Sequence, residues 1–64
     1  MPDDKAQPGE IYFEFTPLGN AVKVAAIDAA TGTEVSVMGP ATASQADLQR
    51  LALQKLQMRL KAGR

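Results

Sequence analysis

IYFEFTPLGNAVKVAAIDAATGTEVSVMGP, residues 11–40, alternates apolar and polar side chains through three short runs divided by two turn clusters. In the first run Ile11, Phe13 and Phe15 fall on one side and Tyr12, Glu14 and Thr16 on the other, the period of two of a half-buried strand. Val22, Val24 and Ala26 alternate with Ala21, Lys23, Ala25 and Ile27 in the second, and Val35 and Val37 with Glu34, Ser36 and Met38 in the third. A one-residue slip would turn a whole strand over, so loop length and face must agree. A loop of Pro17 to Asn20 sets Phe15 opposite Val22, Phe13 opposite Val24 and Ile11 opposite Ala26. A loop of Ala29 to Gly32 sets Ala26 opposite Val35 and Val24 opposite Val37. Both loops then end in a residue that tolerates positive φ, Asn20 and Gly32. The expectation is an antiparallel meander in the order 1-2-3, with Phe13 at the centre of its apolar face.

Beyond Gly39 and Pro40, Ser44 precedes Asp47 by three positions, a capping-box-like pair at the start of a helix. The helix is expected from Gln45 to Lys61, a stretch free of glycine, proline and β-branched residues. Asp47, Arg50, Gln54, Gln57 and Lys61 make its polar stripe, opposite Leu48, Ala52 and Leu56. Leu51 and Met58 flank the apolar side on one edge, and Leu53 and Leu60 on the other, giving an arc wider than one core normally takes. The class is therefore α+β, a three-stranded antiparallel meander with one C-terminal helix on one face (βββα). Residues 1–9 read as a disordered tail, 10–61 as the single domain and 62–64 as a frayed end.

Composition narrows function. A chain of 64 residues holds one small domain. It has no cysteine and no histidine, so neither a thiolate metal site nor the commonest general base can be built. Glu14 and Glu34 share the polar side of the sheet but stand on its two outer strands, a placement suited to solvated residues rather than an acid–base pair. GTEVSVMG has neither the spacing nor the lysine of a phosphate-binding loop. No enzyme activity, cofactor or metal is expected. The opening MPDDKAQPGE is acidic and broken by proline, unlike a secretory signal, and no apolar run approaches the ~20 residues that span a bilayer. A cytoplasmic protein without membrane contact is expected.

The net charge of zero conceals two unequal halves. Residues 1–40 carry six acids against two bases, and residues 41–64 five bases against one acid, or −4 and +4. Such halves can attract within one fold or between copies. On the polar sheet face Tyr12, Ile27 and Met38 are candidate contact residues, and on the helix Leu51, Leu53, Met58 and Leu60. These point to a protein partner or a homodimer, with Leu53 and Leu60, or Leu51 and Met58, meeting their equivalents near a two-fold axis. A second reading assigns Arg50, Lys55, Arg59 and Lys61 to nucleic acid.

Two resemblances bear on these readings. GPATASQADLQRLALQKLQMRL, closing a βββα order, is similar to the last two-thirds of a double-stranded-RNA-binding domain. That resemblance implies phosphate-binding lysines at the start of the helix, where this chain has Gln45 and Ala46, and a first helix that is missing. From Glu10 to about Leu60 the pattern EIYFEF, GNAVKV, AIDAATGTEVS and GP with LQRLALQKL resembles a group of short alphaproteobacterial proteins carrying a domain of unknown function. This likeness implies a small stand-alone domain and brings no catalytic residues. The favoured expectation is a non-catalytic interaction module, self-associating or docking on a larger protein.

Overall fold

The computed structural model describes residues 10–62, so the expectations for residues 1–9 and for Gly63 and Arg64 lie outside it. Three strands, β1 (Ile11–Leu18), β2 (Ala21–Asp28) and β3 (Glu34–Pro40), are followed by helix α1 (Gln45–Ala62). The strands form one antiparallel sheet in the order β1-β2-β3. This is the expected α+β, βββα arrangement.

The second hairpin closes as the sequence predicts. Ala26 pairs with Val35 and Val24 with Val37, and Gly32 takes the left-handed position at φ 76°. The turn is further held by Asp28, only 7% exposed. Its Oδ2 accepts from the Thr31 amide at 3.2 Å and the Thr31 hydroxyl at 2.8 Å. Gly32 N–H donates to the Asp28 carbonyl at 2.7 Å. An aspartate that bonds the backbone beyond it offers the chain a preformed reversal, and here the same bonds satisfy a buried carboxylate.

The first hairpin departs from expectation. Its loop is two residues, Gly19 and Asn20, and both β1 and β2 run further toward it than predicted. Phe15 therefore pairs with Val24, Phe13 with Ala26 and Ile11 with Asp28, two residues away from the expected register. Gly19, at φ 61°, is the left-handed residue, and Asn20 is not. A two-residue hairpin with positive φ at its first central position only has the pattern of a type II′ turn, where glycine is preferred. Because the slip is an even number of residues, every side chain keeps its face.

Helix α1 starts where predicted and runs to Ala62, with the Asp47 amide donating to Ser44 Oγ at 3.3 Å. It packs on β2 and β3. Val24, Ala26, Val35, Leu48, Ala52 and Leu56 form the buried core, with Val24, Ala26, Ala52 and Leu56 fully enclosed. The core thus lies over the central strand and β3. Phe13, expected at the centre, stands on an edge strand and is half-buried, as are Ile11 and Phe15. The helix comes down close to β3 at Gly39, where a Cβ would lie 2.5 Å from Leu48 Cδ2. That gap seats Leu48 over β3 and draws the helix to this side of the sheet.

Candidate functional site

Which backbone groups a strand turns outward follows from which pairs exchange hydrogen bonds, and these alternate along an antiparallel ladder. Ala29 N–H donates to the Glu10 carbonyl at 2.9 Å. In the uniform register that follows, Tyr12, Glu14, Thr16 and Leu18 bond to β2, so the backbone groups of Ile11, Phe13, Phe15 and Pro17 face away from the sheet. On the other side, Asp28 N–H donates to the Thr33 carbonyl at 2.8 Å. Val35, Val37 and Gly39 therefore bond to β2, and Glu34, Ser36, Met38 and Pro40 point their backbone groups outward.

The two edges are finished differently. On β3 the ammonium of Lys55 donates to the outward carbonyl of Ser36 at 2.7 Å, and Pro40 has no N–H to offer. Lysine and proline are common ways of blunting an exposed strand edge. On β1, Pro17 stands near the hairpin, and its outward-facing nitrogen takes nothing from the β1–β2 ladder. The outward groups of Ile11, Phe13 and Phe15 meet no such cover from the helix, which lies over the other two strands.

The side chains of the same three residues line the face toward the helix. Leu53 and Lys55 are about 160° apart around α1 at ~100° per residue, with the buried stripe of Leu48, Ala52 and Leu56 between. Since Lys55 reaches the outer edge of β3, Leu53 and Leu60 look toward β1. Both are half-buried, and Leu60 joins Ile11, Phe13 and Phe15 in packing against the core. The result is an apolar trough: half-buried aromatic and aliphatic side chains on β1, a leucine edge on the helix, and beside them a strand edge left unpaired among the described residues.

The other predicted candidates are dispersed. Leu51 and Met58 are 51% and 70% exposed, on the helix flank that also carries Lys55, so charge interrupts them. On the sheet face away from the helix, Tyr12 pairs with Ile27, whereas Met38 pairs with Lys23. That sets Met38 roughly 13 Å along the strands from the Tyr12–Ile27 row, with Ala25 and Ser36 between. Leu18, beside the first hairpin, shares this distant face and is 47% exposed. A shallow depression of about 360 Å³ lies there between Tyr12, Glu14, Ile27 and Glu34. Glu14 and Glu34 occupy neighbouring cross-strand rows on opposite outer strands. Among the described residues no cluster of three or more potential metal ligands occurs, and no helix is long and apolar enough to cross a membrane.

The four basic residues proposed for nucleic acid do not form one surface. Arg50 pairs with Asp47 at 3.3 Å and Lys55 is drawn to Ser36. At ~100° per residue Arg50 and Lys61 sit on the outer side of the helix, and Lys55 and Arg59 on the flank nearer β3. The edge finish, the Asp28 turn and the gap at Gly39 were not read from the sequence. The spacing of Asp28 and Thr31 is the signal that identifies the turn, whereas Gly39 and Lys55 act through partners distant in the chain.

No curated protein and no solved structure matches the chain. A family model does match, over residues 8–63, and the chain belongs to that family, the domain of unknown function DUF6898.

Proposed function

We propose that this domain is a non-catalytic protein-interaction module whose contact surface is the trough between β1 and the Leu53/Leu60 edge of α1. The observation that carries the reading is the lateral position of the helix. It encloses Val24, Ala26 and Leu56 over the centre of the sheet and leaves Ile11, Phe13 and Phe15 only partly covered in one contiguous strip. Scattered apolar residues are ordinary on a protein surface, but contiguous apolar strips mark contact sites. Fully covering a large apolar side chain is worth about 1.5–3 kcal/mol relative to leaving it exposed. A domain this small has a correspondingly strong gain from any partner that completes its core.

A photoreactive phenylalanine analogue placed at Leu53 tests the surface, with the same analogue at Leu51 as the comparison. The reading predicts protein adducts from the Leu53 position in cells of the native organism and far fewer from Leu51. Equal yields from both, or adducts from Leu51 alone, would contradict it.

A further inference from the structure

We infer that the occupant of the trough is a second copy of this chain, joined β1 to β1 in antiparallel fashion across a two-fold axis at Phe13. This inference rests on the interaction-module reading and adds the partner, the register and the geometry. Three observations choose a second copy and its arrangement. The first is the asymmetry of the edges: β3 is blunted by Lys55 on the Ser36 carbonyl and by Pro40 at its end, while β1 turns the N–H and C=O of Ile11, Phe13 and Phe15 outward with no such cover from the helix. An open edge of this kind templates the addition of another strand.

The second observation is that β1 is complementary to itself in one register. With Phe13 opposite Phe13 of the second copy, Ile11 falls opposite Phe15 and Phe15 opposite Ile11, and each of these outward-facing pairs can exchange both N–H···O=C bonds. Pro17 then lies beyond the paired segment, where its missing N–H costs nothing. On the other face Glu14 falls opposite Tyr12 of the second copy. Shifting the axis to Glu14 would bring Glu14 against itself and Pro17 into the ladder, and like charges directly opposite are unfavourable.

The third observation is the charge pattern of the helix. The flank toward β1 carries Gln49, Leu53 and Leu60, none of them charged, while Lys55 and Arg59 lie nearer β3 and Arg50 and Lys61 on the outer side of α1. Two helices with a net positive charge can therefore face each other over the joined sheets without placing like charges in contact. The half-buried Ile11, Phe13 and Phe15 of both copies would be enclosed between the leucine edges, in one continuous sheet of twice the width.

Disulfide trapping reads the register directly, because the chain has no cysteine of its own. The positions of Tyr12 and Glu14 of the second copy form a non-hydrogen-bonded pair, with Cα atoms about 4.5 Å apart, within the range a disulfide bridges. The double variant Tyr12→Cys/Glu14→Cys should oxidise to a covalent dimer, whereas Tyr12→Cys alone and Glu14→Cys alone should not. Efficient trapping by Glu14→Cys alone would overturn the register, and failure of all three would overturn the β1 pairing. Sedimentation equilibrium of the unmodified chain supplies a measurement independent of any substitution. The proposal expects a dimer whose dissociation constant rises about a hundredfold in Phe13→Ala, which removes one ring from each copy. A mass that stays at 6.8 kDa up to millimolar protein would overturn it. That result would leave the interaction-module reading intact if the Leu53 analogue still forms adducts with a different protein, and both ideas fail if it does not.

Discussion

The β3 side of this small domain and its β1 side both turn alternate apolar residues toward the helix but reach different states. On the β3 side, Gly39 leaves room for Leu48, Lys55 binds the Ser36 carbonyl, and Asp28 with Thr31 locks the turn. Val35 is buried there at 5% exposure. On the β1 side, two phenylalanines and an isoleucine alternate with polar residues as regularly as any strand could, yet all three are half-buried. Hydrophobic patterning decides which face of a strand turns inward. How far that face is covered depends on where the helix rests, and one missing side chain at Gly39 with one long one at Lys55 sets the helix to the β3 side.

The contrast predicts unequal costs for similar truncations, beginning with the largest. Leu56 is fully enclosed, so Leu56→Ala should cost about 3–4 kcal/mol, enough to unfold most of a domain of this size in a urea titration followed by circular dichroism. Gly39→Ala comes next, at about 1–3 kcal/mol, because the new methyl group must displace Leu48 from a packed position. The two effects of Gly39→Ala and Leu48→Ala should be non-additive, since removing the leucine first relieves the clash. Additive losses would show that Gly39 does not set the helix position. Phe13→Ala, measured at dilutions where the chain is a single copy, should cost only about 1.5–2.5 kcal/mol despite the larger side chain, since part of the ring is already in water. A loss for Phe13 as large as that for Leu56 would erase the distinction between the two sides. The smallest effect belongs to Lys55→Met, expected below about 1.5 kcal/mol in the same titration, the range of a single net hydrogen bond.

The sequence discloses the two sides unevenly, for physical reasons. The β2–β3 register is legible because AATG has one glycine at the position that needs positive φ, and strand faces and turn chemistry then agree. In PLGN two residues compete for that role, and Pro17 invites assignment to the loop. Its true place is on an edge strand with its nitrogen facing outward, where proline costs the ladder nothing. The helix, its cap and its buried stripe of Leu48, Ala52 and Leu56 follow from local rules of spacing and capping. Its lateral placement does not, because Gly39 meets Leu48 and Lys55 meets Ser36 only through tertiary packing. The candidate surface was accordingly visible in part: Leu53 and Leu60 could be named as an unpartnered edge, but their continuity with Ile11, Phe13 and Phe15 required the sheet beneath them.

Residue-resolved amide hydrogen exchange on the unaltered chain tests most directly the claim that β3 is finished and β1 is waiting for a partner. In dilute solution the amides of Val24 and Ala26, bonded to β3, should exchange only on global unfolding, while the outward amides of Phe13 and Phe15 exchange close to the rate of an open chain. In concentrated solution Phe13 and Phe15 should become protected, and the outward amides of Ser36 and Met38 should not change. Strong protection of Phe13 in the dilute single copy, or protection appearing on β3 in place of β1, would contradict the account.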